Sequence, residues 1–100
     1  MAETYYTVPQ ALAAVRAAEA ILRRNEAELE DCRRRERAAA PGSWERDHWR
    51  GAAKVQARFV ETLKDRWEYL RGELEKALEN ERLGIPPLGP KETTPWARRD

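Results

Sequence analysis

The sequence predicts an all-α fold: an antiparallel two-helix hairpin with an extended, Pro-rich C-terminal tail, forming a four-helix bundle on dimerisation. Two long stretches repeat apolar residues with alternating three- and four-residue steps. A Pro-Gly pair separates them. Charged residues make up 37% and hydrophobic residues 41% of the 100, with a mean hydropathy of −0.91. That composition is too polar for a thick core and suits long helices that each bury a narrow stripe.

Met1 to Thr7 form a short polar lead. The first helix is expected over about residues 8–39, with Pro9 acceptable in its first turn because the missing N–H has no helical partner there. Its seam runs Val8, Ala11, Val15, Ala18, Leu22, Asn25, Leu29, Cys32. Such a heptad spacing implies a neighbouring helix at a shallow crossing angle. Asn25 is the polar member, able to fix register by pairing with a partner amide at some cost in stability.

Pro41-Gly42 ends this helix, since proline disfavours helix at Ala40 and cannot continue the ladder. Ser43 is then an N-cap, with Glu45 and Asp47 in the first turn, where carboxylates suit the helix dipole. The second helix, about residues 43–83, carries the seam Trp49, Ala53, Gln56, Val60, Leu63, Trp67, Leu70, Leu74, Ala77. Asn80 to Leu83 are expected to fray, Gly84 to cap the C-terminus, and Pro86-Pro87 to prevent a restart. The connector is too short for anything but an antiparallel return. The hairpin thus spans residues 1–84. Residues 85–100 hold four of the six prolines and read as an extended or disordered tail, in which Trp96 is either a docking anchor or a contact back onto the hairpin.

One narrow seam per helix buries little area, and the edge residues Leu12, Ile21, Phe59 and Leu78 widen the apolar stripe beyond what one neighbour covers. A homodimer or a heterodimer with a similar hairpin is therefore expected. Val15, Leu22, Asn25, Leu29, Phe59, Leu63, Trp67, Leu70 and Leu74 are its candidate interface residues.

Nothing here points to catalysis. His48 is the one histidine, and with Glu45 and Asp47 it marks a solvated helix start; no metal or other cofactor is expected. Cys32 is the one cysteine, which excludes an internal disulfide, and on the seam it reads as a small hydrophobe. No glycine-rich phosphate loop is present. No apolar run nears the ~20 residues a bilayer span needs, and the N-terminus lacks the basic and apolar regions of a signal peptide. The expected origin is cytoplasmic, with any export proceeding without a cleaved signal peptide. Arg outnumbers Lys and Ala is abundant, a bias common in GC-rich genomes such as those of actinobacteria and their phages.

The net charge of +1, from 19 basic and 18 acidic residues, gives no bulk support for a nucleic-acid partner. The local candidate is Arg33, Arg34, Arg35 and Arg37. The preceding Glu26, Glu28, Glu30 and Asp31 offer i,i+4 partners, so a solvated, ion-paired helix end is the leading reading of that run.

Trp49-Arg50-Gly51-Ala52-Ala53, near the middle of the chain, resembles the Trp-x-Gly (WXG) family of type VII secretion substrates, the early-secretory-antigen-like proteins. The resemblance implies a hairpin with Trp-x-Gly at its bend, pairing into a four-helix bundle, and export without a cleaved signal. In this motif Trp49 would plug the end of the bundle and Gly51 would let the helices approach closely. The family's Tyr-x-x-x-Asp/Glu export signal follows its second helix. Here the match, Tyr69 to Glu73, lies inside that helix.

The expected function is a non-enzymatic protein–protein interaction hairpin, a WXG-like secretion substrate or its partner. The first alternative is a small phage or bacterial structural or adaptor protein that docks on a larger assembly. The second is a nucleic-acid-binding hairpin using the Arg cluster.

Overall fold

The structure, a computed structural model, describes residues 4–88. Two helices account for most of them, α1 (Val8–Ala38) and α2 (Trp44–Leu83), in an all-α hairpin. Their limits lie within one residue of the expected ones, because the local stop and start signals are strong.

Thr7 caps α1 reciprocally with Gln10. The Gln10 N–H donates to Thr7 Oγ1 (3.2 Å), and the Thr7 N–H donates to Gln10 Oε1 (3.0 Å). This is a capping box, readable as Thr-x-x-Gln. Between the helices, the Ser43 N–H donates to the Ala40 carbonyl (3.1 Å), with Pro41 and Gly42 at the two central positions. Gly42 has φ +78°. Proline first and a left-handed glycine second are the signature of a type II turn. Ser43 Oγ accepts the Arg46 N–H (3.2 Å), the N-cap bond expected of it.

The C-terminus of α2 does not fray. The Gly84 N–H donates to the Glu81 carbonyl (3.2 Å) and the Ile85 N–H to the Asn80 carbonyl (2.8 Å), with Gly84 at φ +74°. This pair of bonds is a Schellman motif, and it keeps Asn80 to Leu83 helical.

The described residues divide into two compact units, a terminal unit (residues 4–17 with 68–88) and a turn unit (residues 18–67). In the terminal unit Ala11, Val15, Leu70 and Ala77 form the buried core. The lead is not a loose polar segment. Thr4 is 2% exposed, and its carbonyl accepts the Leu88 N–H (2.8 Å). In the turn unit the buried apolar residues are Leu22, Leu29 and Ala53. Ile85 to Leu88 lack regular secondary structure, and Ile85 is half-buried. The rest of the expected tail, Trp96 included, lies outside the described residues. Among the described residues, no helix is long and apolar enough to cross a membrane.

Candidate protein-interaction face

The candidate interface residues separate into two groups. Val15, Leu22, Asn25, Leu29 and Leu70 are buried within the single chain, so they hold the hairpin together and are not open to a second polypeptide. Leu63, Trp67 and Leu74 are half-buried, and Phe59 is 49% exposed.

Asn25 pairs across the hairpin, as a seam amide was expected to. Gln56 Nε2 donates to Asn25 Oδ1 (3.0 Å) and to the Asn25 carbonyl (3.1 Å), while Asn25 Nδ2 donates to the Ile21 carbonyl (2.8 Å). The partner amide therefore belongs to the same chain.

These bonds fix the register of the turn unit, and the register fixes its two broad sides. Each helical residue turns by about 100°. Residues one position before the seam on α1 therefore point to the same side as residues one position before the seam on the antiparallel α2. On that side lie Ile21, Arg24, Glu28 and Asp31 of α1 and His48, Ala52, Val55, Phe59, Thr62 and Arg66 of α2. Ile21 is 41% exposed and Val55 71% exposed. The opposite side carries residues one position after the seam. These are Glu19, Arg23, Glu26, Glu30 and Arg33 on α1, and Arg50, Lys54, Ala57, Glu61 and Lys64 on α2. The first side thus presents a mainly apolar row on α2, from Ala52 to Thr62, with Ile21 beside it and the charged Arg24 and Glu28 of α1 along its edge, while the opposite side is mainly charged. Beneath the apolar side the α2 seam residues Gln56, Val60 and Leu63 remain only half-buried.

Towards the bend the apolar row continues to His48 and Trp44, whose rings meet edge-on at 6.3 Å. Trp49 lies inside α2, half-buried, with the Arg35 guanidinium 5.0 Å from its ring centre. That cation–π contact and an Arg50–Glu36 ion pair (3.1 Å) tie the two helices beside the bend. Gly51 has another role from the one its motif suggested. It is exposed, and a Cβ built there meets nothing within 4 Å, so it permits no close approach of helices.

Most of the Arg cluster is neutralised locally. Arg34 (2.6 Å) and Arg35 (2.8 Å) both reach Asp31, and Arg37 reaches Glu30 (3.2 Å). Arg33 makes no ion pair among the described residues. Hydrogen bonds from Arg34 and then Arg35 hold the Asp31 carboxyl below the usual carboxylate range. Cys32 is half-buried on the seam.

The terminal unit contains a feature that the sequence did not signal. Glu73 is 4% exposed, accepts the Thr4 hydroxyl (3.2 Å) and pairs with Lys76 (3.0 Å). The hydrogen bond to Glu73 raises the Lys76 ammonium above its ordinary value. The Tyr-x-x-x-Glu match therefore ends on a buried, structurally engaged carboxylate. The Thr4–Glu73 pairing spans 69 residues of sequence, and no local pattern announces it.

No protein-family model, curated protein or solved structure matches the chain.

Proposed function

We propose that this hairpin is a protein-interaction module whose apolar side, centred on Ile21, Val55 and Phe59, packs against the same side of a second copy. The observation that carries this reading is the exposed apolar row of Val55 and Phe59 on α2, with Ile21 of α1 beside it. Water-facing Val and Phe on a helix whose own seam is half-covered are what a missing helix layer leaves behind. A two-fold axis through that side would make a self-complementary contact and a four-helix arrangement. The charged side, ion-paired within α1 by Arg23 with Glu19 and Glu26, would face solvent.

The test is sedimentation equilibrium of the full chain and of Phe59→Glu, with Lys54→Glu as the charged-side control. Phe59 is exposed, so the variant should fold with unchanged helicity while its dimer weakens at least about tenfold, equivalent to roughly 1.4 kcal/mol. Leu70 is unsuitable as the probe: at 3% exposure it belongs to the hairpin's own core, and a carboxylate there would test folding instead of association. A fully helical monomer at high concentration, or equal dimerisation of Phe59→Glu, would overturn the proposal.

A narrower reading, export as a Trp-x-Gly substrate, rests on Trp49 and Gly51, and the open space around Gly51 lends it no support.

A further inference from the structure

The α2 row of the apolar side runs towards the bend through His48 to Trp44, and Val55 stands one heptad away from His48 with Ala52 between them. Trp44 is 73% exposed and Val55 71%. An ionisable ring is thus set between the two most open apolar side chains of the turn unit. His48 is itself exposed, and its ring meets Trp44 edge-on at 6.3 Å and Trp49 edge-on at 5.0 Å. It is the one histidine of the 100 residues, and histidine is the side chain whose charge ordinarily changes between pH 5 and 8.

The charges around this ring are engaged within the chain or open to water. On α1, Asp31 is bound by Arg34 (2.6 Å) and Arg35 (2.8 Å), and the Arg35 guanidinium lies over the Trp49 ring. Glu28 stands further along the same edge, exposed. On α2, Asp47 pairs with Arg50 (3.5 Å), which also reaches Glu36 (3.1 Å), and Glu45 is exposed one turn before His48. These groups and the two indoles accompany the imidazole in the single chain already. What association changes is hydration. A cover that reaches from Val55 to Trp44 passes over His48 and takes its water, and lost water disfavours the charged form of an imidazole.

Resting on the self-association proposed above, we infer that His48 makes the contact depend on pH: the second copy covers the neutral imidazole, and protonation opposes pairing. Two single chains then bind more protons than the dimer they form. The dimer therefore loses affinity as pH falls through the ordinary histidine range, about 6.5. A two-fold contact contains the imidazole of each copy, so the effect enters twice.

Sedimentation equilibrium of the full chain at about pH 7.5 and about pH 5.5, with His48→Gln alongside, tests this, because aspartate and glutamate stay largely ionised at both values. His48 is exposed, so the variant should keep its helicity by circular dichroism. The wild-type dissociation constant should rise roughly five- to thirty-fold at the acidic pH. That of His48→Gln should stay within about twofold, which also sets the imidazole apart from the N-terminal amine, whose own titration nears the upper value. An equal or lower wild-type dissociation constant at the acidic pH, or a rise that survives in His48→Gln, would overturn the inference and leave the apolar side as the contact. A chain that stays monomeric at the higher pH would overturn the contact itself, and the role of His48 with it.

Discussion

The Asn25–Gln56 pair gives the sharpest quantitative test of the fold, because its two partners differ in burial. Asn25 is 7% exposed and Gln56 half-buried. Gln56→Leu strands Asn25 Oδ1 in the seam without its donor. A stranded buried acceptor costs about 1–3 kcal/mol. The half-buried leucine returns roughly 1 kcal/mol, so a net loss of about 0.5–2 kcal/mol is expected. Asn25→Leu behaves differently. It removes the buried amide, adds a leucine at a buried seam position, and leaves a Gln56 amide that can turn to water. That variant should be neutral or more stable. In the double variant no orphan remains, so the two changes should be non-additive, with a coupling of about 1–2 kcal/mol. For a chain of this size each kcal/mol moves Tm by about 4–8 °C. Thermal unfolding followed by circular dichroism, at one protein concentration because association feeds into stability, measures all four corners of the cycle. Additivity within about 0.3–0.5 kcal/mol would refute the cross-helix bond and the register built on it.

Thr4→Val should cost about 1.5–3 kcal/mol, the range for a hydrogen bond to a charged group, because it withdraws a donor from buried Glu73. Hydrogen exchange at the Tyr6 and Leu88 amides should quicken in step, and an unchanged Tm would remove the lead from the core. Asp31 makes a pH prediction. Its carboxyl is depressed in the folded chain by Arg34 and Arg35, so its stabilising effect is present above its unfolded pKa, about 3.9, and is lost as pH falls through the lower folded value. Asp31→Asn should therefore lower Tm slightly at neutral pH, and the difference from wild type should vanish near pH 2. A difference that persists there would deny the Asp31–Arg ion pairs a role in stability. Both Asp31 partners are solvent-exposed, so added salt should shrink the neutral-pH difference.

Most of the helical framework was legible because it is written in local chemistry. Ser43, Pro41-Gly42 and Gly84 each act within a few residues, and all three mark helix limits in the structure. The seams were legible for a related reason. A period of 3.5 residues constrains one face over many turns, and every α1 seam position from Val8 to Cys32 is buried or half-buried. Division of that apolar set between the inside of one chain and its outer face was not legible, since period alone does not say how much one neighbour covers. The lead was misread because Thr4 looks polar by type, while its burial depends on Glu73 and Leu88, far away in sequence. The Thr7–Gln10 box was available from spacing and supplies the α1 cap that Val8-Pro9 alone did not explain.

The two seams of the turn unit are unevenly covered. The Asn25–Gln56 bond sets the register, and one heptad along it brings Ala18 opposite Leu63, as four residues the other way bring Leu29 over Ala53. Large opposite small lets the helices approach closely and buries Leu29 and Ala53. Opposite Ala18, Leu63 stays half-buried, with Phe59 exposed beside it. Within the turn unit α1 is the better covered of the two, with Leu22, Asn25 and Leu29 buried while Gln56, Val60 and Leu63 of α2 stay half-buried. The uncovered area falls on the side that carries Ile21 and Val55, away from Lys54, Glu61 and Lys64. A second hairpin laid on that side would cover the large α2 residues with its own, which no rotation of α1 within one chain can do while Asn25 stays bonded to Gln56.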